Sequence, residues 1–283
     1  MSINEKMKQS EIQFIAKAAS YLENPSFVIK LTNIIGMPIE KVIVALPAQA
    51  QQFVASATHK ALEGSLAAAI MTISKDSSGS FENGQEKSGL TGWGHKIATA
   101  VTGGVGGVFG LAALPFELPI TTTIMLRSIS SIANNYGHDL ADLKTRLECL
   151  SVFAMGSPSK ADDALESAYF GSRIGIAQAI NQATKWAGGK TAQEIAEAIA
   201  AKSAPELIQL MAKVAARFNI VVTEGALAKA IPGVAIATGV LINVAFTDHF
   251  NAVAEYHFGI RTLESLYGAA AVRALYDANS RRD

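Results

Sequence analysis

From residue 3 to about 22, apolar side chains recur at Ile3, Met7, Ile12, Ile15, Ala19 and Leu22. That spacing of three to five is the signature of one face of an amphipathic helix. Pro25 follows and permits a restart, because proline is tolerated in a first helical turn. The stretch from Phe27 to Ile73 shows no alternation of period two, is rich in Ala, Leu, Ile and Val, and is interrupted by Gly36, Pro38 and Pro47. It predicts two or three helices, the last and longest over about 48–73. Residues 74–89 are nearly all small and polar, which predicts an exposed connecting loop. Further helical patterns run over Asp139–Met155, Ala161–Trp186, Thr191–Ala201, Pro205–Phe218 and about Phe250–Asn279. Thr191 and Glu194 have the spacing of a capping box. Nothing reads as a strand, so the expected class is all-α, a multi-helix bundle. N-terminal helices in 1–73, the linker 74–89 and a main helical region 90–283 are expected to form one compact unit around the loop.

Two stretches stand apart because they carry no charge. Ile97–Phe116 is twenty residues long and is followed by Glu117, nine more uncharged residues and Arg127; Ala230–Thr247 is eighteen residues long. The first is just long enough to cross a bilayer. It places glycines four apart at Gly103/Gly107 and Gly106/Gly110, which on a helix makes a groove free of side chains that admits a second helix closely. A glycine-rich loop or a tightly packed hairpin is the alternative, since helix interiors tolerate glycine poorly. The pattern predicts a Gly-rich apolar hairpin over about 97–127 that either associates with a membrane or lies in the core.

Composition narrows the classes. The chain of 283 residues has 24 Lys+Arg against 24 Asp+Glu, with 17% charged and 49% hydrophobic residues and a mean hydropathy of +0.25. Disorder and nucleic-acid binding through net positive charge are both disfavoured. One cysteine rules out an intramolecular disulfide framework and a cysteine-rich zinc site. The N-terminal residues mix charges with apolar positions and lack the hydrophobic stretch of a secretory signal. The expected location is cytoplasmic, with peripheral or integral attachment at the inner membrane left open.

Candidate chemistry centres on Leu114-Pro115-Phe116-Glu117-Leu118-Pro119, where a carboxylate stands between two apolar runs. Pro119 is suited to begin a helix, which predicts Glu117 just before its N-terminus, where the helix dipole favours an anion. Glu117 then serves either as a structural anion or as a functional carboxylate. Thr123, Arg127, Ser130 and Asn134 form a polar stripe opposite Met125, Ile129, Ile132 and Tyr136, a solvated face or a binding groove. Glu117, Thr123 and Arg127 are the predicted ligand-binding set, the polar end of an apolar pocket. Asp142 and Arg146 are spaced for an i,i+4 pair. Cys149 lies in an apolar helical run and predicts a buried thiol. Asp248, His249, Glu255 and His257 occupy a broad helical face, which predicts a wetted surface and no metal.

Catalytic templates fail. No His-Glu-x-x-His, Glu-x-x-His or Gly-x-Ser-x-Gly occurs, and Gly189-Lys190-Thr191 has Thr184 where a phosphate loop begins with glycine. Ser157-x-x-Lys160 stands without companion motifs. For a hydrolase the acid–base candidates would be Glu117, His95, Asp139 and Asp142. No cofactor is predicted.

The ordered series Gly110 to Ile129, Tyr136-Gly137-His138-Asp139-Leu140, and Arg146 to Gly156, with Ile231-Pro232-Gly233 and Thr247-Asp248 later, resembles the EcsC protein family of bacteria. The family is named after a gene beside an ABC exporter operon, and some members carry a peptidase label that no motif here supports. The resemblance implies an accessory role in membrane transport or envelope physiology, without a site to transfer. The leading expectation is a helical protein that binds membrane lipid or an apolar ligand, with a membrane transporter as a further partner, no nucleic acid, and an oligomer allowed. A hydrolase and a soluble interaction module are the alternatives.

Overall fold

The computed structural model describes residues 7–23, 33, 47–76, 114–155, 168–230 and 236–280. Among these residues lie nine helices and no strand: α1 (Gln9–Glu23), α2 (Ala48–Asp76), α3 (Leu114–Asn135), α4 (Leu143–Met155), α5 (Ala168–Ala187), α6 (Ala192–Ala200), α7 (Pro205–Ala230), α8 (Ile236–Tyr267) and α9 (Ala269–Ser280). The all-α expectation holds.

The bundle is built around α4. Leu147 and every residue from Cys149 to Met155 are buried, and α2, α3, α5, α7 and α8 all pack against it. A helix with no polar face belongs in the interior, and the sequence Leu-Glu-Cys-Leu-Ser-Val-Phe-Ala-Met offers little else. Its Ser151 hydroxyl is satisfied within the helix, donating to the Glu148 carbonyl at 2.7 Å. Phe153 meets Phe218 of α7 with ring centroids 4.7 Å apart and Phe250 of α8 at 5.1 Å, and Phe218 meets Phe250 at 5.5 Å. Each such pair contributes about 0.5–1.5 kcal/mol beyond its buried area. On one side, α2 lies along α3 and α7 through a seam of small and hydroxylated residues. Thr58 donates to Asn219 at 3.3 Å and Ser65 bonds Thr123 at 3.1 Å.

Several boundaries differ from the sequence pattern. Helix α3 begins at Leu114, so Pro119 lies inside it and Glu117 falls in its first turn, not ahead of it. Pro115 is the residue that exploits the free N–H positions of a helix start. Pro119 follows so soon that it forfeits one bond, to the Pro115 carbonyl. Thr121, Thr122 and Thr123 each return their hydroxyls to the carbonyl four residues back, at 2.9, 2.7 and 2.8 Å. The expected helix over 250–279 is two, because Gly268 adopts φ +88° and ends α8. The uncharged run 230–247 is not an element of its own: it closes α7, passes through residues outside the description and opens α8. No described helix is long and apolar enough to cross a membrane. Helix α2 reaches Asp76, while the rest of the predicted linker, and Ile97 to Ala113 with its four spaced glycines, lies outside the described residues. The capping box of α6 is formed, with Thr191 Oγ1 accepting from the Glu194 N–H and the Glu194 carboxylate accepting from the Thr191 N–H.

Helix α1 docks on α8 where Gly259 leaves room. A Cβ there would stand 2.3 Å from Phe14 Cζ and 3.2 Å from Tyr136 Cε1. The partly buried Phe14 ring stands beside Tyr136 and Tyr256, at 6.4 and 5.6 Å, and would have to shift. Gly259→Ala is expected to destabilise the fold by about 1–3 kcal/mol, measured as a lower urea midpoint.

Candidate functional site

A cleft opens where the first turns of α3 meet the C-terminal part of α7 and the N-terminal part of α8. Glu117 and Thr121, one turn apart on α3, and Asn243 of α8 supply its polar lining; Leu118, Val222 and Phe246 supply apolar walls. Its volume of about 30 Å³ suits one or two waters or the end of a larger group. Glu117 owes its place to the helix start, where unbonded N–H groups favour a carboxylate. The Phe246 wall depends on Gly225: a Cβ there would lie 2.7 Å from the ring.

The predicted ligand set does not converge. Glu117 lines the cleft, Thr123 turns into the α2–α3 seam to bond Ser65, and Arg127 is exposed on another face of α3. Thr123, six residues on, lies about 120° around the helix from Glu117, and Arg127, ten residues on, lies about 15 Å further along its axis. The polar stripe on α3 divides in the same way: Ser130 donates to the Leu126 carbonyl at 2.9 Å, while Asn134 is exposed. Asp139 and Asp142 shape the α3–α4 turn, accepting the Ala141 and Lys144 N–H groups at 2.8 and 3.0 Å. Arg146 does not pair with Asp142; it donates to the carbonyls of Ala141 (2.9 Å) and Ile70 (3.5 Å). Burial pushes the Cys149 thiol up to about 12, so it is an unreactive interior side chain. His95, Gly103, Gly106, Gly107 and Gly110 lie outside the described residues.

A second polar centre, unforeseen from the sequence, lies deep among α1, α5, α8 and α9. Asp248 and Glu255 are exposed as expected, but His249 and His257 are fully buried, which corrects the reading of that face as wetted. They stand eight residues apart on one stripe of α8, and each finds a tyrosine. Tyr21 of α1 bonds His249 Nδ1 at 3.2 Å, and Tyr169 of α5 bonds His257 Nδ1 at 2.9 Å. One turn further, Arg173 of α5 grips Glu264 of α8 with two parallel bonds of 2.9 and 2.5 Å. Arg261 reaches Glu148 of α4 at 3.2 Å. Tyr276 of α9 donates to Glu23 of α1 at 2.8 Å.

Burial dominates the electrostatics of Tyr169 and His257 in this centre. Burial pushes the Tyr169 phenol up to about 12. For Arg173, burial opposes the charge but the Glu264 carboxylate overcomes it, and the pKa is raised. His257 is held well below its ordinary value, first by burial and then by Arg173, Arg261 and His138. His257 Nδ1 pairs with the Tyr169 hydroxyl, and its Nε2 is a buried atom with no hydrogen-bond partner. The arrangement joins five helices through tyrosine hydrogen bonds, the bidentate Arg173–Glu264 pair and the Arg261–Glu148 pair. The spacing Tyr169–Arg173 in an apolar helical run was the visible signal for it. Among the described residues, no group of three or more His, Cys, Asp or Glu is placed to hold a metal ion.

The described residues thus form an all-helical bundle wrapped around α4, with a small cleft at one end and a polar centre among α1, α5, α8 and α9. The chain belongs to the EcsC protein family, whose model matches residues 9–263. No curated protein and no solved structure matches it.

His257 gives the fold a pH dependence. Above its ordinary pKa of 6.5 folded and unfolded chains both hold it neutral and its neighbourhood is fully stable. Below that pH the unfolded chain takes up a proton that the folded chain refuses, so stability falls by up to about 1.4 kcal/mol per pH unit until the folded pKa is reached. His257→Gln keeps an acceptor for Tyr169 and removes the proton site. Urea unfolding across pH 7.5–4.5 is expected to show a shallower loss for this variant than for the natural chain; equal slopes would show that His257 does not govern the acid limb.

Proposed function

We propose that the protein works at a membrane surface, presenting the end of the bundle that carries the Glu117 cleft to lipid. One observation carries this reading. Phe116 is 78% exposed, Ile120 47%, Leu241 53% and Val244 49%, and all four lie on the two helix ends whose alternate faces line the cleft. These are four of the eight large apolar side chains exposed among the described residues, and such a group beside residues as uncharged as 230–247 marks an interaction site more often than scattered exposure does. The cleft beneath them, with Glu117, Thr121 and Asn243 among apolar walls, has the mixed character suited to the polar part of an amphiphile. In this reading attachment is peripheral, on the cytoplasmic side of the inner membrane. The accessory role near a membrane transporter that the family resemblance implies is consistent with it. The hydrolase reading has less support, because Asp139 and Asp142 are engaged by backbone N–H groups of a turn.

Fully burying one such side chain contributes about 1.5–3 kcal/mol. The pair Phe116→Ser, Leu241→Ser is therefore expected to weaken binding to phosphatidylglycerol/phosphatidylcholine vesicles by at least about tenfold in a sedimentation assay, while leaving the melting temperature near that of the natural chain. Equal partitioning of variant and natural protein, or no sedimentation of either, would overturn the reading.

A further inference from the structure

A single residue separates α8 from α9. Gly268 stands at φ +88° and its N–H donates to the Glu264 carbonyl at 2.9 Å, the left-handed cap that stops a helix. On either side the chain is strongly helical, and Ala269, Ala270 and Ala271 have the highest helix propensity of any residue. The tolerance of glycine for positive φ is what keeps one helix from running on.

Helix α9 packs on α1 and α8. Val272 and Tyr276 are its buried side chains. Tyr276 fills a slot walled by Tyr169 and Phe170, with centroids 5.5 and 5.0 Å away, and its hydroxyl reaches Glu23. Arg273 lies over the Phe170 ring at 5.2 Å. Glu23, Tyr169 and Phe170 fall within residues 9–263 matched by the family model, and α9 falls beyond them. The slot residues thus lie inside the matched region and the plug outside it.

We infer that this slot is an interface for a second copy of the chain. With Gly268 in the right-handed region, α8 and α9 become one helix of roughly 65 Å, which carries Tyr276 away from its own core. Each α9 then seats in the slot of the other copy, restoring the same contacts. Because closed and exchanged forms share those contacts, the hinge conformation and the chain concentration decide between them.

Gly268→Ala in the full chain tests this. An L-residue in the left-handed region is disfavoured by about tenfold or more, and two hinges are released per dimer. The dimer association constant is therefore expected to rise by about a hundredfold, read by size-exclusion chromatography with light scattering. Gly268→Asn, which tolerates positive φ better, is expected to give a smaller rise. Adding Tyr276→Ala to Gly268→Ala is expected to return the chain to monomer with native helix content by circular dichroism. A folded Gly268→Ala that stays monomeric, or a dimer indifferent to Tyr276→Ala, overturns the inference. If Gly268→Ala does not fold, the natural chain refolded from urea at rising concentration replaces it. A dimer fraction that grows with concentration supports exchange, and monomer throughout overturns it.

Discussion

The absence of a polar face on α4 governs the architecture. A thirteen-residue helix whose second half is buried on every side cannot sit at a surface, and its burial requires neighbours all around. Helices α2, α3, α5, α7 and α8 meet that requirement, and the phenylalanines at 153, 218 and 250 lock two of them, α7 and α8, to α4. The hydrophobic effect is non-directional. Here the ring contacts supply direction, because edge-on and tilted pairs fit in few relative orientations.

A second layer of specificity comes from polar groups in the apolar interior. Burying a charge is costly unless it is paired and hydrogen-bonded. Arg173 and Glu264 meet that condition with a bidentate geometry, and Arg261 and Glu148 with a single bond. His257 avoids the cost differently: burial favours its neutral form, and it pairs with the Tyr169 hydroxyl. These contacts join residues as far apart as Glu23 and Tyr276, so they form only when the whole bundle closes. They penalise wrong helix registers more than they add to stability.

How much of this was legible depends on how local the signal is. The capping box at Thr191 and Glu194, the buried Cys149 and the helical class all follow from residues within one turn of each other. The start of α3 was misplaced because two prolines four apart both suit a first turn, and the pattern does not say which one uses it. Gly268 passed as an ordinary interior residue, since a positive φ leaves no mark on the amino-acid sequence beyond the glycine itself. Of the candidate site, Glu117 was found from its apolar surroundings, but Thr123 and Arg127 were grouped with it on polarity where the helix turns them away. His249 and His257 were taken for a solvated face because their partners, Tyr21 and Tyr169, are 228 and 88 residues away. No window along the chain contains such pairs.

Cys149 has a consequence of another kind. It is the chain's one thiol, and it sits in the helix that every neighbour must leave before solvent can enter. Fraying of α1 or α9 does not uncover it. The rate at which an alkylating reagent modifies the folded protein is therefore a clock for whole-bundle opening, insensitive to local motion at the periphery. The single sulfur makes the molecule its own probe of cooperativity: comparing that rate with amide exchange in α9 separates the breathing of an edge from the loss of the core.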